Sequence, residues 1–460
     1  MLPVLTADEM RAADAAALST VSHETLVGRA GTAVGVAALR LLGGAYGRRV
    51  TVVVGKGSNG ADGRVAAALL ARRGARVTVI AAADGPAALP RCDLVIDAAY
   101  GTGFRGSYDA PAVAPGVAVL SVDIASGLDA DTGAAPGAPF RATRTVTFAA
   151  YKPGLLQGAG AGCSGEVQVV DIGVPLPASG AALIEDADVA AGVPPRLRQS
   201  HKWSTALGIA SGSVGMEGSA ILCTRGAMAA GAGMIRLGNP GNPSAAWPTE
   251  AVRVHLEGPR WAEAFLAATG KCRAMVIGPG LGTDATTQEE IRTVIARAPH
   301  PLVIDADAIT ALGDATAARQ LLALRREPTV LTPHDGEYAR MAGSAPGDDR
   351  LAAARDLARR VGAVVLLKGA LTAVAAPQGE LPDVLLASAG GPVLATAGTG
   401  DVLSGVIGAF LARGVPAHQA AALGAHVHGR AAALGRPEGL VAGDLPGLIA
   451  AWLSEDAHHG

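Results

Sequence analysis

Aromatic residues are scarce in this sequence: Phe, Trp and Tyr make up 3% of 460 residues, although half of the chain is apolar. Its cores must therefore be assembled from Ala, Val, Leu and Ile, a palette that suits stacked layers of helix and sheet. Charge is also sparse, at 17% with a formal net of -2. No Lys/Arg block is present that could neutralise a run of phosphates, which argues against nucleic acid as a partner. The four cysteines, Cys92, Cys163, Cys223 and Cys272, lie far apart and form no CxxC pair, so neither a zinc site nor a disulfide framework is expected, and a reducing cytoplasm fits. Long apolar runs are missing as well. The longest uncharged stretch, Val384 to Gly400, is broken by Gly390, Gly391, Pro392 and Gly398, and a membrane span needs about 20 apolar residues in helix. Asp8 and Glu9 interrupt the N-terminus before a secretory signal could form. A cytoplasmic protein without a membrane partner is expected.

At 460 residues the chain exceeds the size at which one core usually stops growing, so two domains are expected. Short β-branched runs (Val50 to Val54, Val77 to Ile80, Leu94 to Ile96, Val117 to Val122) alternate with Ala-rich segments, the pattern of a parallel sheet with helices on its faces. Ahead of them, Ala7 to Leu42 reads as amphipathic helix interrupted near Ser22 and His23. The stretch Val174 to Ser200 holds PLPASG and Pro194-Pro195 without a sustained apolar period and marks a boundary. A second series of strands follows: Leu207 to Ala210, Met275 to Ile277, Leu302 to Ile304, Thr329 to Leu331 and Val364 to Leu367. Two α/β domains in tandem, 1–190 and 195–460, are the expected organisation.

In the first, VTVVVGKGSNGADG runs from strand through a glycine-rich turn into helix, with Gly55, Gly57 and Gly60 where the backbone must bend. Such a turn aims free N–H groups at an anion, but its intervals are neither those of a dinucleotide fingerprint nor those of a phosphate-binding P-loop. Asp62 would cap the helix or hold a ribose or cation. Two more strands end in carboxylates: Asp97 precedes Gly101, Thr102 and Gly103, and Asp123 precedes Ser126. Ligands of open α/β sheets sit beyond the carboxyl ends of strands, so the three loops converge on one crevice. Asp123 and Lys152 are the acid/base candidates there; a lysine before the Pro153-Gly154 turn could equally lie on the surface.

In the second, GGPVLATAGTGDVLSGVIGAFLARG carries the strongest local signal. Gly398, Thr399 and Gly400 read as a loop free to take positive φ, and Asp401 stands at the start of a helix whose N–H groups make an anion hole. That arrangement suits a base beside a transferring phosphoryl group. Asp305 and Asp307, His334 and Glu337, and Lys368 to Thr372 each follow a strand and would emerge at the same sheet edge, beside the glycine loops 208–220 and 278–282. His426 and His428 alternate on an Ala-rich helix, point apart and do not suggest a metal site.

These motifs carry a resemblance. GKGSNGADG, DAAYGTGFRG, VDIASGLD and TFAAYKPGLL together are similar to the NAD(P)H-hydrate epimerase family over about residues 1–180. The resemblance implies a Rossmann-like three-layer α/β/α sandwich. It implies hydrate contacts at Ser58, Asn59, Gly60, Ala61 and Asp62, at Gly101, Thr102, Gly103, Phe104, Arg105, Gly106 and Ser107, and at Asp123, with potassium (K+) held by Asn59, Asp97 and Ser126. The family's NNGGD loop reads Ser58-Asn59-Gly60-Ala61-Asp62 here, and its DIPSG has Ala125. GPGLG, TPHxGE and AGTGDVLSG, over about residues 195–450, resemble the ADP-dependent NAD(P)H-hydrate dehydratases, a ribokinase-like α/β fold. That likeness implies hydrate binding at Ala220, Gly282, His334 and Asp401, and ADP binding at Lys368, Gly369, Ala370, Leu371, Thr372 and Gly400. Magnesium (Mg2+) is expected with the diphosphate. Together they imply a homo-oligomeric enzyme acting on the hydrates of NADH and NADPH (NADHX and NADPHX). A small-molecule hydroxyl kinase using the same GTGD base, or a nucleotide-binding sensor, are the rival readings.

Overall fold

Arg49–Val54, a strand of five buried residues behind an exposed arginine, lies second in a six-stranded sheet. In this computed structural model, which describes residues 1–240, 247–256, 258–379 and 381–456, the chain divides into two compact units: Leu2–Gly180, and Ala181–Gly460 with Met1.

The first unit orders its strands Arg76–Ala81, Arg49–Val54, Leu94–Ala98, Ala118–Val122, Arg144–Phe148 and Glu166–Val170, every neighbouring pair parallel. Alternation sends Val52, Leu94 and Ile96 to one face and Val53, Val95 and Val119 to the other. The first face packs on helices His23–Leu42 and Ser58–Arg72. The interruption expected near Ser22 is a helix start: Ser22 Oγ accepts from Thr25 N, ending the gap after helix Ala7–Leu18. Helix His23–Leu42 is long and apolar enough to cross a membrane, but its buried stripe, Leu26, Ala30, Val34, Ala37 and Ala38, belongs to this core.

In the second unit the strand order is Ala181–Leu183, Val384–Ala387, Thr372–Ala375, Val364–Leu367, Thr329–Leu331, Leu302–Ile304, Ala274–Ile277, Ala206–Ala210, Met234–Gly238 and Val252–Val254. Thr372–Ala375 runs antiparallel to both neighbours, because only a short turn links it to Val364–Leu367; the other pairings are parallel. The unit begins at Ala181, inside the compositional boundary but ahead of the expected start at 195, since Ala181–Leu183 pairs with Val384–Ala387 and Asp186 bonds His426 and Arg430.

Helices Glu217–Ala229 and Thr399–Ala412 cross beside this sheet at glycines. A Cβ on Gly405 would stand 2.0 Å from the Cys223 carbonyl oxygen, and one on Gly226 would stand 2.5 Å from that of Val402. Since helix Thr399–Ala412 carries Asp401, the crossing fixes a functional residue through packing. Gly405→Ala is expected to destabilise the second unit by at least about 1–3 kcal/mol, the usual cost of overpacking, seen as an earlier thermal transition; an unshifted transition would show that the helices separate freely.

Candidate active sites

The carboxyl ends of the first four strands of the amino-terminal unit surround a cavity of about 880 Å³. Ser58, Asn59, Asp62, Gly101, Thr102, Gly103, Phe104, Asp123 and Lys152 line it. Gly60 and Ala61 lie in the helix between these residues; Arg105, Gly106 and Ser107 continue the loop outside the lining, with Arg105 exposed near Asp129. Gly55 and Gly60 are required by close approach and not by positive φ. A Cβ on Gly55 would meet the Ala99 oxygen at 1.9 Å, and one on Gly60 would meet the Gly55 oxygen at 2.1 Å. Asp62 is not the cap that its motif allows: Gly57 occupies that position, and Asp62 is buried in the second turn.

Lys152 is not on the surface, for 1% of its side chain is exposed. Its Nζ lies 2.8 Å from Asp123 Oδ1 and donates to Thr147 Oγ1 at 2.8 Å and the Phe148 oxygen at 2.9 Å. Thr102 N donates to Asp123 Oδ2 at 3.1 Å. Asp123 itself takes φ 68°, a left-handed conformation that Asp tolerates better than most side chains and that turns the carboxylate toward this pair. Burial alone would raise its pKa; the Lys152 ammonium and the hydrogen bonds overcome that and hold it below the usual carboxylate value. Asp62 behaves oppositely. Burial, and then the negative Asp123, push it up to about 8, so the cavity presents one ionised and one protonated carboxyl near neutral pH.

Asp97 lies beneath the cavity, fully buried. Its Oδ1 accepts from Ser126 Oγ at 2.5 Å, and its Oδ2 accepts from Ser121 Oγ at 2.9 Å and Ser126 N at 2.8 Å. Asn59 faces the cavity with a buried, unpartnered Nδ2. Among the lining residues that sequence reasoning did not assign to the site are Asp14, His23 and Tyr100. Tyr100 directly precedes the glycine loop and was within reach of motif reading; Asp14 and His23 arrive on helices that only tertiary packing brings there.

In the carboxyl-terminal unit Gly398, at φ 88°, caps the helix, but Thr399 and Gly400 are already helical, so only the first of the three uses the left-handed region. Asp401 sits in the first turn. Burial raises its pKa to about 6; a Ser219 hydrogen bond and the Lys368 ammonium oppose the rise, while Asp305 and Asp307 add to it. Lys368 Nζ stands 2.6 Å from Asp305 Oδ1 and 3.4 Å from where a Cβ on Gly400 would be. Lys368 and Gly400 therefore meet at the helix N-terminus. Asp307 Oδ2 accepts from Gly282 N at 2.8 Å, shaping the loop in which Gly282 takes φ 92°. Ala220 is buried against Gly212.

His334 caps helix Asp335–Ala342: its Nδ1 accepts from Gly336 N at 2.9 Å, and its own N–H donates to Glu337 Oε2 at 2.9 Å. Of the 368–372 turn, Leu371 points into the core at 2% exposure and offers a ligand only backbone, while Gly369 and Ala370 are exposed. Arg350 braces this turn through a 2.5 Å hydrogen bond to the Lys368 oxygen, a contact between distant segments that no local motif announces.

The two units that carry these sheet edges are similar to known proteins. The family model described as NAD(P)H-hydrate dehydratase matches residues 207–453, and that described as YjeF-related protein N-terminus matches 23–88 and 81–154. A bifunctional NAD(P)H-hydrate repair enzyme of Mycobacterium leprae is 39% identical over 457 residues, covering 92% of each chain. The chain belongs to this family of bifunctional NAD(P)H-hydrate repair enzymes. Its Escherichia coli relative is 33% identical over 460 residues, with 86% of this chain and 83% of the relative covered. Among solved structures, the ADP/ATP-dependent NAD(P)H-hydrate dehydratase of Bacillus subtilis, co-crystallised with ATP and Mg2+, is 28% identical at a TM-score of 0.50, covering 59% of this chain and 97% of that one. An Enterococcus faecalis ribokinase-like superfamily protein, 23% identical at a TM-score of 0.52, covers 62% of this chain and 99% of its own and shares the fold. Membership of the repair-enzyme family spans both units, which the rival reading of a hydroxyl kinase with a non-catalytic amino-terminal nucleotide-binding domain does not explain.

Proposed function

We propose that this chain repairs hydrated NADH and NADPH. The amino-terminal unit interconverts the R and S hydrates, and the carboxyl-terminal unit dehydrates the S hydrate at the expense of ADP. The observation that carries the reading is Asp401, a half-buried carboxylate in the first turn of a glycine-capped helix with the Lys368 ammonium close by.

Asp401 accepts the proton of the ring hydroxyl. The oxygen so freed attacks the terminal phosphorus of ADP, the bond to AMP breaks, and the helix amides and Lys368 stabilise the transferring charge. The ring nitrogen lone pair then expels phosphate, and the neighbouring carbon loses a proton, leaving dihydronicotinamide, AMP and phosphate. Incubating the protein with S hydrate and ADP should release inorganic phosphate one for one with recovered dihydronicotinamide absorbance; a stable phosphoester would instead identify a kinase. Because Asp401 must be ionised to act and has a pKa of about 6, kcat/KM is expected to fall as the pH drops through about 6. A flat profile down to about pH 5 would remove Asp401 from the rate equation.

In the first unit, Asp123 and Lys152 serve as the acid/base pair for epimerisation, with the hydrate held along 58–62 and 101–107. The oxygens of Asn59, Asp97 and Ser126 would hold a potassium ion, with Ser126 Oγ 3.1 Å from the Tyr100 oxygen as well as on Asp97. Such an ion would supply fixed positive charge near the hydrate. Among the described residues no group of three or more His, Cys, Asp or Glu could hold a metal ion, so magnesium would enter on the diphosphate oxygens that it favours. The four cysteines are free and buried, which supports a reducing cytoplasm.

A further inference from the structure

Asp305 takes no part in the steps above, yet both of its oxygens are committed. It follows strand Leu302–Ile304 and is 1% exposed. Oδ1 accepts from Lys368 Nζ at 2.6 Å and from Thr332 Oγ1 at 2.7 Å, and Oδ2 accepts from Ser404 Oγ at 2.6 Å. Two partners stand just beyond strands Thr329–Leu331 and Val364–Leu367; the third lies one turn after Asp401 on its own helix. One carboxylate thus ties the nucleotide-side lysine and the helix of the base to the sheet edge.

We propose that Asp305 is a positioning residue of the dehydration reaction, holding the Lys368 ammonium against the helix N-terminus that carries Asp401. This rests on the reading of Asp401 as the base. A partly buried ammonium without an anion would lose charge or swing to solvent; paired with Asp305, it stays charged beside Gly400, where a phosphoryl group would lie. The negative Asp305 in turn disfavours ionised Asp401, so that carboxylate takes a proton more readily.

The groups facing Asp401 act in both directions. Asp305 and Asp307 raise it and Lys368 lowers it, while Cys223, on the crossing helix, is kept neutral by burial. His428, on helix Ala417–Ala433, interacts with Lys368 and is held neutral, its pKa pushed down to about 4 by burial. Glu337 lies within electrostatic reach of both Lys368 and Asp305. Removing the Asp305 charge takes away one influence that raises Asp401, and releasing Lys368 takes away one that lowers it; the two oppose, so KM for ADP is the deciding readout.

The experiment measures kcat and KM for ADP against pH in the full chain, for wild type, Asp305→Asn and Ser404→Ala. In Asp305→Asn KM for ADP is expected to rise by about tenfold or more as a charged contact is misplaced. Ser404→Ala keeps every charge and should lower kcat without moving the acid limb. A folded Asp305→Asn with the wild-type KM for ADP overturns the proposal. Should that variant lose its cooperative unfolding transition, Asp305→Glu replaces it: the limb is then expected to stay and KM for ADP to rise, and an unchanged KM overturns the proposal. Wild-type activity in Asp401→Asn would sink the base reading itself, an outcome separate from either of these.

Discussion

Asp401→Asn is expected to lower ADP-dependent dehydration by about 10²–10⁴-fold, the span associated with a positioned general base, while the thermal transition stays near wild type. The two halves of that expectation have different causes. Asp401 lies in the first turn of helix Thr399–Ala412, where an acidic side chain gains only modestly from the helix dipole, so an isosteric amide should cost little stability. It is half-buried, and Asp305 and Asp307 add repulsion to its ionised form, so neutralising it should slightly relieve the fold. Activity and stability should thus separate. Dehydration at the wild-type rate by the variant would remove Asp401 from the chemistry.

Lys152→Met should act in the reverse manner, costing both epimerisation and stability. The lysine is sealed in the first unit at 1% exposure beside an Asp123 that is itself 13% exposed. Breaking a buried pair from one side leaves an uncompensated charge, typically a loss of about 3–5 kcal/mol. In the wild type, Asp123 has its folded pKa depressed, so its contribution is present above the unfolded carboxylate value and disappears as the pH falls through the lowered one. Without Lys152, burial should raise the folded pKa instead. The variant is then expected to recover stability on mild acidification, at a pH above that at which the wild type begins to lose it. Dehydration of purified S hydrate should continue, since the second unit builds its own site. A Lys152→Met protein with the wild-type transition and the wild-type rate of R-to-S conversion would dismiss the pair as inert.

Much of this arrangement was legible in the sequence, because it follows strand ends. Asp97, Asp123, Asp305 and His334 each follow a β-branched or apolar run, and a parallel sheet necessarily gathers such residues at one edge. Less legible was the reason for each residue. Glycines 55 and 60 read as bends and prove to be contacts between backbones, a distinction that depends on where the Ala99 oxygen passes. Lys152, before its Pro-Gly turn, could be read as an acid/base candidate or as a surface lysine; its partner Asp123 comes from the end of another strand. Leu371 belongs to a polar motif and still faces the core. Asp305 stood next to Asp307 with nothing local to separate them, and only the positions of Lys368, Thr332 and Ser404 assign one to a buried network and the other to the Gly282 loop. The antiparallel strand Thr372–Ala375 was equally hidden, since the turn before it was read for its chemistry and not for its length.

The central claim, two sites acting on successive forms of one substrate, is tested most directly by giving the intact chain a mixture of R and S hydrates with ADP and following both epimers. Wild type should consume both and return the full dihydronicotinamide, with AMP and phosphate in equal amount, whereas Asp123→Asn should leave the R fraction behind. Persistence of the R hydrate with wild type, or full consumption of both epimers by Asp123→Asn, would contradict it.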